Sequence, residues 1–189
     1  INVYAGGSKH QLQEIGGLLD RANQALQTLE RYKARLEESL ASLTSAEIED
    51  AASLRDVVTV VQRAEMVHRI ADEIQTMIIE LGIDARLLRL QLDEIYSGVD
   101  DELQLVVADY LPDGRNPVEA AAALVNLFDD EVLDLKTATA QLTGEDTSTI
   151  DLDRDVAPKG LRLLHRVRSL PPDEAIRIAE HFGGLAHLQ

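Results

Sequence analysis

Between Ile15 and Leu43 the apolar residues recur at spacings of three and four: Ile15, Leu19, Ala22, Leu26 and Leu29, then Leu36, Leu40 and Leu43. That spacing sets one side chain per turn on a single stripe, so the stretch reads as a long amphipathic helix. Its stripe must be buried against another helix. Only Lys33 stands where the seam expects an apolar residue. At a rise of ~1.5 Å per residue, about thirty residues make a strut of roughly 45 Å, longer than a small domain is wide. Gly16 and Gly17 weaken its first turn, which moves the expected start of order towards Leu18.

The partner is legible further on. Thr44-Ser45-Ala46-Glu47 fits a capping box that would start a short helix through Ile48, and Ser53-Leu54-Arg55-Asp56 starts a longer one. The longer helix carries a stripe from Leu54, Val57, Val58 and Val61 to Ile74, Ile78 and Leu81, and Gly82 stops it. Asp84 is expected to cap a third helix ending near Gly98, and Asp100 to open a fourth that Pro112 stops. Asn116-Pro117-Val118-Glu119 opens another, with proline at the first helical position. Two short helices are expected, over 117–128 and 130–142. Aromatics are only 3% of the chain, so the core must be Leu, Ile, Val and Ala, which favours helix-on-helix packing.

The two ends read differently. Ile1–Ala5 and Lys9–Gln13 flank Gly6-Gly7-Ser8, the pattern of a β-hairpin, and two strands alone are barely stable in water. They read as the remnant of an upstream sheet, so the chain is expected to be an all-helical middle piece of a larger protein, cut at both ends. Residues 144–157 are acidic and poor in apolar side chains, and read as a loop or linker. Pro158-Lys159-Gly160 opens a separate unit, with a helix from Asp173 to Phe182 and a restart after Gly183-Gly184. The expected architecture is therefore all-α: an elongated bundle of long antiparallel helices over 14–143, a hairpin remnant over 1–13, and a partial helix-hairpin-helix over 158–189.

Charge narrows the partners. Residues 91–157 hold 3 Lys/Arg against 17 Asp/Glu, whereas residues 158–189 hold 5 against 3 and three of the five histidines. The acidic middle would repel a phosphate backbone, so any nucleic-acid contact belongs to the C-terminal end. With no cysteine there is neither disulfide nor thiolate metal site, and a reducing cytoplasm is the expected location. Glu65-Met66-Val67-His68 has the spacing of a carboxylate-bridged di-metal motif, but it lacks a second copy and reads as a solvated or salt-bridged surface pair. No phosphate-binding glycine loop and no nucleophile motif occurs. The expectation is no catalytic residue, no cofactor and no metal ligand in this chain.

The segment Ile176 to Leu188 has the helix–glycine turn–helix form of a helix-hairpin-helix, in which backbone N–H groups at a helix N-terminus approach a phosphate. Gly183, Gly184 and Leu185 of that turn, with Arg177, Arg166 and Lys159, are the candidate DNA-phosphate contacts.

The stretch Leu18 to Lys33, with Asp56–Arg63, Glu80-Leu81-Gly82 and Arg86–Glu94, resembles the linker helices of the DisA family, bacterial DNA integrity scanning proteins with diadenylate cyclase activity. Pro158–Arg162 and the Phe182-Gly183 turn resemble the entry into that family's C-terminal helix-hairpin-helix domain. The resemblance covers nearly the whole chain and is loosest over 98–157. It implies a linker between an upstream cyclase domain, which joins two ATP molecules into cyclic di-AMP with a divalent metal such as Mg, and a downstream domain that binds branched DNA. It also implies an octamer. The family's Asp-Gly-Ala and Arg-His-Arg catalytic tripeptides have no counterpart here, since Asp113-Gly114-Arg115 does not fit. The reading is a non-catalytic helical spine. The alternatives are a stand-alone helical module pairing with itself through the first seam, and a metal-dependent helical-bundle enzyme.

Overall fold

The computed structural model describes residues 3–112 and 115–182, with side chains from Leu12 onward except Pro117. Helix α1 runs over Val3–Ile48 and α2 over Leu54–Leu81. Gly82, at a φ of +62°, ends α2 and leads into a 3₁₀ turn, Gly82–Ala85. Six further helices follow: α3 (Arg86–Tyr96), α4 (Val99–Tyr110), α5 (Pro117–Val125), α6 (Asp129–Leu133), α7 (Leu135–Thr143) and α8 (Leu161–His165). Helix α9 covers Pro172–Phe182. The fold is all-α, and among the described residues the one piece of β pairing is an isolated antiparallel bridge, Ser53 to Asp155.

Several boundaries differ from those the sequence suggests. Residues Val3–Gln13 are helical, not a hairpin; Ile1 and Asn2 lie outside the described residues. The physical reason is cooperativity: extending an existing helix adds one hydrogen bond per residue, whereas a lone two-stranded pair lacks a partner for its face. Glycine pairs at 6–7 and 16–17 only tax this extension. The helix also runs through Thr44 without a break. Thr44 Oγ1 donates back to the Leu40 carbonyl at 2.8 Å, so it serves the helix interior and caps nothing. Asp84 lies within the 3₁₀ turn, and Ala85 is the α3 N-cap. Where one helix was expected over 130–142, Asp134 divides α6 from α7 and caps α7 by accepting from Lys136 and Thr137.

The packing forms two compact units. The first comprises the described residues up to Arg35 with Met66–Ser97. Its core takes Ala22, Leu26 and Leu29 from α1, Ile74 and Ile78 from α2, and Leu88 and Leu92 from α3. The interruption at Lys33 has a use here: its Nζ donates to the Ser97 carbonyl at 3.1 Å, just past the end of α3. His68 Nδ1 and Tyr96 Oη lie 2.6 Å apart and tie α3 to α2.

The second unit comprises Leu36–Glu65 with the described residues from Gly98 on. Here α2 is buried on more than one side: Val57, Val58, Val60, Val61 and Ala64 are all in the core. Residues 144–157 hold no helix, yet they are pinned. Leu54 and Arg55 donate their backbone N–H groups to the carbonyls of Arg154 and Leu152, and Val156 donates to Ala52. The first orphan N–H groups of α2 are thus satisfied by the acidic stretch, alongside the Ser53–Asp56 capping pair. Ile150 and Leu152 are buried, and Arg154 makes a bidentate pair with Glu145 at 2.6 and 2.9 Å. Helices α8 and α9 belong to this same unit, so packing shows no boundary at 158.

Gly16 and Gly17 lie inside α1 with open space where a Cβ would sit. Replacing both with alanine should stabilise the chain by about 1 kcal/mol per site. In urea titration the midpoint should rise with an unchanged slope; an unmoved or lowered midpoint would contradict a continuous α1.

Candidate functional site

The densest polar chemistry in the second unit lies where α1 ends. Glu47 is in the last turn of α1, where unpaired carbonyls already carry partial negative charge, and it is 3% exposed. A carboxylate there needs a cation. Arg162, equally buried in α8, supplies it: Nη1 donates to Glu47 Oε1 at 2.5 Å and Nη2 to Thr44 Oγ1 at 3.3 Å. Tyr110 Oη donates to the same Glu47 oxygen at 2.8 Å.

Asp109, from α4, completes the cluster. Gly160 is the N-cap of α8 and has no side chain to offer, so Asp109 does the capping from another helix. Its two oxygens accept from Leu161 N at 2.7 Å and Arg162 N at 3.1 Å. Burial pushes the Asp109 carboxyl above the usual aspartate range, and the two N–H donors oppose that shift. Burial, with the hydrogen bond to Glu47, pushes the Tyr110 hydroxyl far up, so it stays a neutral donor. The guanidinium pairs with Glu47 while the backbone N–H of the same residue serves Asp109, and Glu47 Oε2 and Arg162 Nε are buried without a hydrogen-bond partner. Such a cluster adds little net stability and much positional definition. Its chemistry is that of a clasp: it fixes α8 to the ends of α1 and α4.

The candidate phosphate contacts distribute unevenly. Gly183, Gly184 and Leu185 lie outside the described residues. Arg177 is exposed on α9, beside an open groove lined by Glu174, Ile178, Glu180, His181 and Phe182. Arg166 is exposed just past α8, with Nη2 3.4 Å from Thr44 Oγ1. Lys159 is half-buried and turned inward: Nζ donates to the Leu111 carbonyl at 3.0 Å, and its N–H to the Asp109 carbonyl. Of the candidate contacts among the described residues, Arg177 and Arg166 are the exposed ones.

The spacing suggests a solvated or salt-bridged surface pair, which His68 fits in part, lying half-exposed 3.4 Å from Asp72, and Glu65 does not. Glu65 is 2% exposed in the second unit, while His68, in the first, meets Tyr96 and Asp72. The surface reading failed because α2 is buried over more of its circumference at Val57–Glu65 than one stripe allows. Among the described residues no group of three or more His, Asp or Glu is placed to hold a metal ion. No described helix is long and apolar enough to cross a membrane.

Residues 12–150, most of the chain and all of the first unit's described side-chain core, match the linker region of the DisA bacterial checkpoint controller. The chain belongs to the DisA linker family. DisA proteins align with it from end to end. It is 47% identical to the DNA integrity scanning protein DisA of Kineococcus radiotolerans, covering all of this chain and 53% of that protein. It is 48% identical to that of Streptomyces coelicolor, covering 51%, and 48% identical to that of Acidothermus cellulolyticus, covering 52%. The chain thus spans about half the length of these DisA relatives.

Within this DisA linker, the clasp residues Glu47, Asp109, Tyr110 and Arg162 escaped the sequence reading. One signal was available: Asp109 interrupts the apolar run Leu105-Val106-Val107-Ala108, where a charge on a buried face demands a partner. That Arg162 is the partner, 53 residues on, is not written locally.

Removing that cation strands the buried Glu47 carboxylate, whereas Asp109 keeps its backbone donors. Arg162→Ala should lower the unfolding free energy by about 3–5 kcal/mol at neutral pH, and adding Glu47→Gln should recover part of it. A loss below ~1 kcal/mol in urea titration would show that the clasp is not buried. Asp109 yields a signed pH effect. Its carboxyl sits above its unfolded-state value, so its contribution is present in full below that value and is lost as pH rises through the folded one. Wild type should lose stability relative to Asp109→Asn across that window, and parallel curves would refute the shift.

Proposed function

We propose that this chain is the helical linker of a DNA integrity scanning protein, with no catalysis of its own. In this reading it joins a diadenylate cyclase domain, which makes cyclic di-AMP from ATP with a divalent metal, to a helix-hairpin-helix domain that engages branched DNA. The parent protein is a cytoplasmic homo-oligomer, an octamer. The observation that carries the reading is the end-to-end alignment with DisA proteins about twice as long, together with the family match over residues 12–150.

The clasp supports a mechanical role. A linker that passes information between domains needs defined contacts, because a flexible tether averages positions away. Arg162 lies in the segment that resembles the entry to the DNA-binding domain, and its guanidinium is held by the end of α1. Through that contact the 158–165 segment and the α1 terminus share one set of hydrogen bonds. The acidic character of residues 91–157 disfavours DNA along the linker and leaves exposed arginines of the C-terminal end, Arg166, Arg168 and Arg177, as cationic points.

Two assays test the proposal. The 189-residue chain, given ATP and Mg²⁺, should form no cyclic di-AMP by chromatography, whereas full-length protein should. In an electrophoretic shift with a four-way junction at low salt, it should bind far more weakly than full-length protein. Cyclic di-AMP made by the chain alone, or junction binding saturating below micromolar, would overturn the reading.

A further inference from the structure

Helix α5 turns an apolar face outward. Ala120 and Leu124 are buried, whereas Val118, Ala122 and Val125, at spacings of four and three, are exposed on one stripe. Phe128 follows three residues after Val125 and is 75% exposed, although the chain has only two phenylalanines. An aromatic this open, in extended backbone between the end of that stripe and the start of α6, is the composition of a binding anchor. The surface is also preorganised. Phe128 donates its N–H to Glu131 Oε2 at 2.8 Å, and Gln62 Nε2 donates to the Val132 carbonyl at 2.7 Å, which fixes α6 to α2 within the second unit.

The rim says what fits. Glu119 lies beside the stripe, Asp129 and Asp130 directly follow Phe128, and Asp134 closes α6. Hydrogen bonds from Thr137 hold the exposed Asp134 carboxyl below the usual range, so it remains an anion. Four carboxylates around an apolar stripe repel phosphate, which disfavours nucleic acid and anionic membrane. They also disfavour a second copy, whose stripe carries the same acidic rim. We propose that the α5–α6 face is a docking surface for a basic amphipathic segment of another protein, apolar side chains seating on Val125 and Phe128 and Lys or Arg pairing with the rim. This is independent of the linker reading, because it concerns only the second unit's own surface.

The probe is a synthetic peptide with leucines on one helical face and lysines on the other, followed by fluorescence anisotropy against the 189-residue chain. Binding is expected, weakened about tenfold or more by Phe128→Ala and comparably by Asp129→Lys with Asp130→Lys. It should weaken further as salt is raised. Ile79→Ala, which trims an exposed apolar residue of the first unit, should leave the affinity unchanged, and so separates this face from general attraction to an acidic protein. A thermal melt of the Phe128 variant should match wild type, since its side chain is exposed, and binding of the aspartate variant is read well below its own melting temperature. Equal binding by the Phe128 variant, equal binding of a peptide with glutamates replacing the lysines, or self-association lost on Phe128→Ala would each overturn the proposal.

Discussion

Burial of one leucine stripe is the constraint on which the rest of the structure depends. Helix α1 presents it over most of its length, and both compact units draw core residues from it: Ala22, Leu26 and Leu29 in the first, Leu36 and Leu43 in the second. With so few aromatics, each buried leucine contributes roughly 1.5–3 kcal/mol, and the core is a sum of many such modest increments. No single residue dominates it. Helix α2 answers α1 in both units, narrowly in one and over a wider arc in the other.

Around that apolar frame the polar groups act as locators. Lys33 breaks the stripe and closes on the carbonyl after α3. Asp109 caps a helix from another helix, and Arg162 neutralises a carboxylate at the point in α1 where the helix dipole tolerates it least. Buried charges of this kind are poor sources of net stability because desolvation cancels most of the attraction. They are good at admitting one arrangement and penalising others. For a family whose members are named for scanning DNA integrity, position is the property a linker would have to preserve.

The apolar stripes of α1 and α2, the stop at Gly82, the Asn116-Pro117 start and the α9 span were all legible, because each rests on contacts within a few residues. The errors share a cause. The N-terminal residues matched a hairpin pattern, but a short alternation cannot outweigh a neighbouring helix ready to extend. The stretch 144–157 has the composition of a tether, yet two buried apolar side chains and three backbone hydrogen bonds anchor it to the start of α2. Thr44 and Glu47 matched a capping box, but the box is used only when the chain stops there.

By itself the sequence determined the helical class, the seam, the charge asymmetry and the kinship with DisA linkers, because periodicity and local hydrogen bonding act over a few residues. Tertiary structure alone decided which charges are buried, which of Lys159, Arg166 and Arg177 face outward, and how Glu47, Asp109 and Arg162 meet. Those outcomes depend on desolvation and on partners some 50 to 115 residues apart, and a pattern read along the chain carries neither.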